Sequence, residues 1–246
     1  MTDHETPAAP TPPKASLAED FVDIFVSPRE VFARRATSGY GAVLLTITVV
    51  LGVMFFLNQG TFRDIMEAEI ARGMAQAMKE NPGMTAEQME TGAKIGRTIA
   101  MFGGFVGIPI ALFCVGLVTW LTGRLLGAPL SYTAATMIAC YSYFPRILEA
   151  VLMAVQGILL DTTGMRGRFQ LSLGAGRFLD PEMSPGLLGL AGRIDVFTLW
   201  TTVLIVIGLM VVAKLPREKA VPAGGVVWLL GGLPSFWTLA KSALFG

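Results

Sequence analysis

Apolar positions along the chain gather into five long runs separated by shorter polar segments. A helix needs about 20 apolar residues to cross a bilayer core, and the runs at about 40–57, 98–121, 132–160, 194–213 and 222–243 are of that order. They predict an all-α, polytopic integral membrane protein with five transmembrane helices. The third run is the longest and contains Pro145, which removes one backbone donor, so this span is expected to tilt or bend. The fifth carries Gly231, Gly232 and Pro234 at its middle and is expected to kink there, where neighbouring helices can satisfy the freed backbone.

The segments outside these runs carry patterns of their own. Residues 1–16 are rich in Pro and Ala and lack hydrophobic periodicity, which predicts a disordered tail. No basic region directly precedes a short apolar core, so a cleavable signal peptide is not expected and the N-terminus is read as cytoplasmic. Over 17–39, Leu17, Phe21, Ile24 and Phe25 fall on one helical face. Ser27, Pro28 and Glu30 then read as an N-cap, a first-turn proline and a capping box. These spacings predict interfacial amphipathic helices, with Arg29, Arg34 and Arg35 on lipid phosphate. The alternative is a pair of soluble helices packed on the membrane body.

Two loops are long enough to hold structure. After the first run, Phe62, Ile65, Met66, Ile70, Met74 and Met78 lie on one helical face. A break follows at Asn81-Pro82-Gly83, and Thr85 with Gln88 forms a capping box opening a helix that continues into the second run. The pattern predicts a helical hairpin packed on its own protein. In the loop 161–192, the alternation from Arg168 to Leu173 suggests a short strand. The step Gly174-Ala175-Gly176 lacks a third glycine and a phosphate-loop lysine, so it does not signal a nucleotide site.

Composition agrees with the membrane reading. Hydrophobic residues make up 53% of the 246 and charged residues only 15%, against about 25% in soluble domains. The mean hydropathy is +0.60. A formal charge of +1 offers no basic stripe, and no nucleic-acid partner is expected. The single histidine, His4, lies in the tail, which removes the usual general base and metal ligand from the membrane body. Cys114 and Cys140 lie in apolar runs without C-x-x-C spacing and read as small apolar fillers. No enzyme activity, cofactor or metal is expected.

The strongest candidate site is Arg146 with Glu149, three residues apart on one helical face. Each lies within an apolar run, where a charge costs about 2.5–3.5 kcal/mol on insertion scales, so the two should pair. Tyr141 and Tyr143 supply hydroxyls beside them. This polar centre reads either as an ion, proton or lipid-headgroup site or as a structural ion pair fixing helix packing. Asp195, at the start of the fourth run, is counted with this polar centre and is placed either to cap that helix or to contact a substrate. Arg124 and Arg193 read as headgroup-facing, and Trp200, Trp228 and Trp237 as a lipid-facing belt. Gly103 and Gly107 have the Gly-x-x-x-Gly spacing of close helix contacts.

Taken together, SPREVF, NPGMTAEQ, YSYFP and above all RIDVFTLWTTVLIVIGL, followed by a short basic turn and a last apolar span, resemble the bacterial branch of the Yip family. These are five-span membrane proteins related to the Ypt/Rab-interacting proteins. The resemblance covers about residues 20–245, with Tyr141–Pro145 and Asp195–Trp200 matching its third-span and fourth-span patterns. It implies a five-span domain over 40–246 with a cytosolic N-terminus, and it supplies no catalytic residue. The expected role is a scaffold or membrane-organising factor in the bacterial inner membrane, in contact with the lipid bilayer and with other membrane proteins or copies of itself. The alternative is a small transporter or channel-like protein using the Arg146/Glu149 centre. Basic residues at Arg34-Arg35 and at Lys214, Arg217 and Lys219 favour N-terminus inside.

Overall fold

A computed structural model describes residues 15–160 and 164–245, and these are mostly helical. The expected tail over 1–16 lies outside them except for Ala15 and Ser16. Chain order is α1 (Leu17–Val26), α2 (Pro28–Arg35), α3 (Gly41–Leu57), α4 (Arg63–Glu80), α5 (Ala86–Leu125), α6 (Tyr132–Ser142) and α7 (Pro145–Leu159). Then come 3-10 turns at Arg168–Leu171 and Ala175–Phe178, and α8 (Pro185–Ala191), α9 (Val196–Val211), α10 (Arg217–Leu230) and α11 (Leu233–Phe245).

The helix starts follow capping chemistry, though not always where expected. Thr85 and Gln88 form the predicted box: Gln88 N–H donates to Thr85 Oγ1 at 3.2 Å and Thr85 N–H to Gln88 Oε1 at 2.9 Å. Ser27 does not cap α2 with its side chain. Its N–H instead donates to Asp23 O at 2.7 Å, so Ser27 closes α1, and Pro28 starts α2 through its fixed φ. The N-terminal capping box is Ser16 with Glu19, which has the same spacing one helix earlier.

The apolar third run is divided. Tyr143 and Phe144 separate α6 from α7, and Pro145 sits in the first turn of α7, where its missing donor is harmless. The last run divides into α10 and α11, whose bend is 49°. The strand expected at Arg168–Leu173 is a 3-10 turn. Gln170 Oε1 accepts from the N–H groups of Arg166 and Gly167 at 2.7 and 3.0 Å and folds the segment back on itself. Among the described residues no neighbouring strand is present to pair with it, and the bridge nearby joins Gly174 to Asp195.

The core centres on α6, which is buried from Ala135 to Ser142 and packs against α5, α9, α3 and α2. Its small residues permit close approach. A Cβ on Gly116 of α5 would lie 2.9 Å from Thr136 Cα, so only glycine fits there. A Cβ placed on Gly103 or Gly107, the expected contact pair, would meet no atom of another helix within 4 Å.

The outer faces are apolar. Leu45, Val49 and Val53 on α3, Val106, Ile110, Leu117 and Leu121 on α5, and Val196, Leu199 and Val203 on α9 are all exposed. Such stripes suit a hydrocarbon surrounding rather than water. Two helical segments, Met101–Leu125 and Tyr132–Leu159, are long and apolar enough to cross a membrane, and α10 with α11 makes a third if counted as one bent span. The apolar helices α3 and α9 are shorter, at 17 and 16 residues.

Candidate functional site

Two polar clusters lie within this apolar body. The first is assembled by the break before α7. Pro145 starts a new helix, which places Arg146 in its first turn with Glu149 one turn on. Arg146 Nη1 donates to Glu149 Oε2 at 2.5 Å, and Nη2 donates to Thr198 Oγ1 of α9 at 2.7 Å. The Arg146 guanidinium also lies 5.9 Å from the Tyr143 ring centroid.

Asp195 joins this cluster from the start of α9. Its Oδ1 accepts from the N–H groups of Phe197 and Thr198 at 2.9 and 3.0 Å, satisfying two orphan donors of the first turn. Thr198 Oγ1 donates to Asp195 Oδ2, so the hydroxyl links carboxylate to guanidinium. Asp195 is 4% exposed and lies 3.9 Å from Arg146 Nη1. The cap and the ion pair therefore form one network fastening α7 to α9. Nε of Arg146 is buried without a partner among the described residues.

Tyr141 is not part of it. Two residues along a helix rotate a side chain by about 200° at 3.6 residues per turn, and Tyr141 faces α1 instead. Its hydroxyl donates to Asp20 Oδ2 at 3.1 Å. Asp20 is fully buried and accepts from Arg34 Nε at 2.8 Å and Arg35 Nε at 2.7 Å. Arg34 Nη2 also donates to Asp23 at 2.7 Å. Burial works against the charge of Arg34, but the hydrogen bonds and charges of Asp23 and Asp20 outweigh it and raise its pKa. Arg34 and Arg35 thus turn inward onto carboxylates, while Arg29 stays exposed. Around them, Phe21 packs edge-on against Phe144 and Phe25 against Trp200, so α1 is seated on the bundle.

Asp20 had a legible signal: it shares a helical face with Leu17 and Ile24, and a carboxylate on an apolar face requires a partner. Thr198 had none, because a threonine in an apolar helix is usually packing. Arg193 does not face outward as read. Its Nη2 donates to Trp228 O near the end of α10, its guanidinium lies 5.4 Å from the Trp228 ring centroid, and Trp228 Nε1 donates back to Arg193 O at 3.4 Å.

Two cavities flank the first cluster. One, of about 600 Å³, lies among α3, α4, α5 and α7 and is mainly apolar, with Met54, Phe55, Met66 and Ile108 among its walls. The other, of about 400 Å³, lies toward α9 and the α10–α11 bend and is lined by Arg146, Arg168, Arg193, Asp195 and Ser235. Arg146, Glu149, Met153 and Arg168 border both. Among the described residues, no group of three or more His, Cys, Asp and Glu is arranged to hold a metal.

The chain is similar to membrane protein YknW of Bacillus subtilis (strain 168), 24% identical over 189 residues, which cover 76% of this chain and 75% of the relative. No solved structure matches it. The family model described as Yip1 domain matches residues 22–239, from α1 to α11 and through both polar clusters. This protein belongs to the Yip1-domain family of membrane proteins.

Proposed function

We propose that this Yip1-domain protein crosses a bacterial inner membrane five times, with its N-terminus in the cytoplasm, and acts as a non-enzymatic scaffold or membrane-organising factor. Five crossings follow if α3, α9 and the bent α10–α11 pair are counted with the two longer segments. The Bacillus relative supports a bacterial membrane, and the bases at Arg34-Arg35 and Lys214, Arg217 and Lys219 support the orientation.

The observation that carries the scaffold reading is that both terminal nitrogens of Arg146 are spent within the polar centre. Arg146 commits Nη1 to Glu149 and Nη2 to Thr198, so its charge fastens α7 to α9. The broad apolar faces are then the working surface, in contact with lipid and with other membrane proteins.

A transporter reading has one observation in its favour: Arg146 and Glu149 border both cavities. Replacing both together, Arg146→Met with Glu149→Leu, leaves neither charge of the pair without its partner. Native isolation of the tagged protein from mildly solubilised membranes, against an unrelated five-span control, tests the proposal. The expected result is a stoichiometric partner that survives high salt and is retained by the double variant. Recovery of the protein alone, with a reconstituted flux that the folded double variant loses, would overturn the scaffold in favour of the transporter.

A further inference from the structure

The cavities differ in chemistry in a way the fastening role does not require. The larger has walls of Leu, Met, Phe and Ile side chains, and the smaller is bordered by three arginines against two carboxylates, Glu149 and Asp195. Both carboxylates are committed, Glu149 to Arg146 and Asp195 to the α9 cap. Neither the Arg168 nor the Arg193 guanidinium has a carboxylate within 4.0 Å among the described residues, although the Arg168 backbone N–H donates to Glu69 Oε1 at 3.2 Å. Arg168 stacks on Phe169 at 4.8 Å. Arg193 spends one donor on Trp228 O, and its buried Nε has no partner. Glu69, the remaining carboxylate of the larger cavity, is paired with Arg72 at 2.9 Å.

Arg193 is held by shape as well as by bonds. It lies against the α10–α11 bend, where a Cβ on Gly231 would come within 2.7 Å of its Nη2. A guanidinium has five donors, so Arg193 retains donors for a further acceptor.

We infer that the two cavities together form a binding site for a single-chain anionic amphiphile, its chain among Met54, Phe55, Met66 and Ile108 and its phosphate or carboxylate head against Arg168 and Arg193. Each volume falls within the about 300–1,000 Å³ typical of small-molecule sites. The shared border at Arg146, Glu149, Met153 and Arg168 places the head beside the mouth of the apolar space. This site is separate from the partner contacts of the scaffold reading, and either can fail without the other.

The full-length protein in a non-ionic detergent, titrated by native mass spectrometry, tests the inference. The probes are oleoyl lysophosphatidate, oleate, oleoyl lysophosphatidylcholine and inorganic phosphate. The expected result is retention of one lysophosphatidate or one oleate per chain, with the zwitterionic probe bound about tenfold or more weakly, the scale of one charged hydrogen bond. Preference between the two anionic probes assigns the head as phosphate or carboxylate. Arg193→Gln should lower anionic retention by a similar factor, and Arg193→Lys should recover part of it. Equal retention of the zwitterionic and anionic probes by the unaltered protein would overturn the inference, and that comparison needs no variant to fold. Inorganic phosphate retained as well as the acylated probes would overturn it too, leaving a simple anion site.

Discussion

Asp20 is the residue whose removal should most change how α1 and α2 sit on the bundle. Its carboxylate is fully buried and accepts from both Arg34 and Arg35 and from the Tyr141 hydroxyl. Asp20→Ala leaves two guanidinium groups and one phenol without that acceptor. Breaking a buried pair by removing one partner costs about 3–5 kcal/mol. Arg34 and Arg35 keep 28% and 17% of their side-chain surface in contact with solvent, and Arg34 retains Asp23, which argues for the lower end. At about 3 kcal/mol the local opening equilibrium of α1–α2 shifts about a hundredfold, since about 1.4 kcal/mol is tenfold. Hydrogen exchange in detergent reads this directly. Amides of residues 17–35 should lose about two decades of protection while those of α6 and α9 lose much less. Undiminished protection over 17–35 would refute the reasoning, because it would mean that the aromatic contacts of Phe21 and Phe25 alone hold the pair of helices.

Three further outcomes follow from the same geometry. Gly116→Ala should lower the unfolding midpoint in detergent, at about 1–3 kcal/mol for overpacking against Thr136, whereas Gly107→Ala should not lower it; equal effects would sink the packing assignment. Asp195→Ala should cost about 0.5–2 kcal/mol through the lost α9 cap, and Asp195→Asn should recover most of it; an Asn variant as unstable as Ala would show that charge toward Arg146 dominates. Glu80 accepts from Lys241 Nζ at 2.7 Å, a bond that, with Gln76, holds its carboxyl below the usual range. Because the folded-state pKa is depressed, this contact is fully present above the ordinary carboxylate pKa and is lost as pH falls through the lowered one. Exchange at the end of α4, normalised for intrinsic rates, should show that step, and Glu80→Gln should abolish it.

Short-range features of the fold were legible in the sequence. The apolar runs, the Thr85 box and the i, i+3 spacing of Arg146 and Glu149 depend on neighbours within a few residues, and helical geometry transmits such spacings faithfully. The rest depends on which elements meet. Ser27 carries every local mark of an N-cap, yet its N–H was already required to close α1. Residues 168–173 alternate like a strand, but alternation has no value without an adjacent edge. Gly103 and Gly107 have the spacing of a close contact, yet a Cβ on either would meet no other helix, because α6 lies against a different stripe of α5. Tyr141 and Tyr143 stand two residues apart in the sequence and end in separate clusters. Arg193 reads as a headgroup charge in the sequence because its partner, the Trp228 carbonyl, lies on α10, which is distant along the chain and packs beside α9.

The length of α5 has a mechanical meaning. Its 40 residues make a rod of about 60 Å at about 1.5 Å per residue, roughly twice the hydrocarbon thickness of a bilayer. The half that pairs with α4 and the half that packs on α6 are thus one lever without an intervening loop. The lever has one soft joint, at Pro109, where the carbonyl of Phe105 lacks its helical donor. The Phe105 ring occupies the space a Cβ on Gly52 of α3 would fill, so α3 splints the rod beside the turn where it would otherwise flex. The α4–α5 hairpin and the Gly116–Thr136 contact are therefore joined by one continuous helix, braced by α3 beside its proline turn.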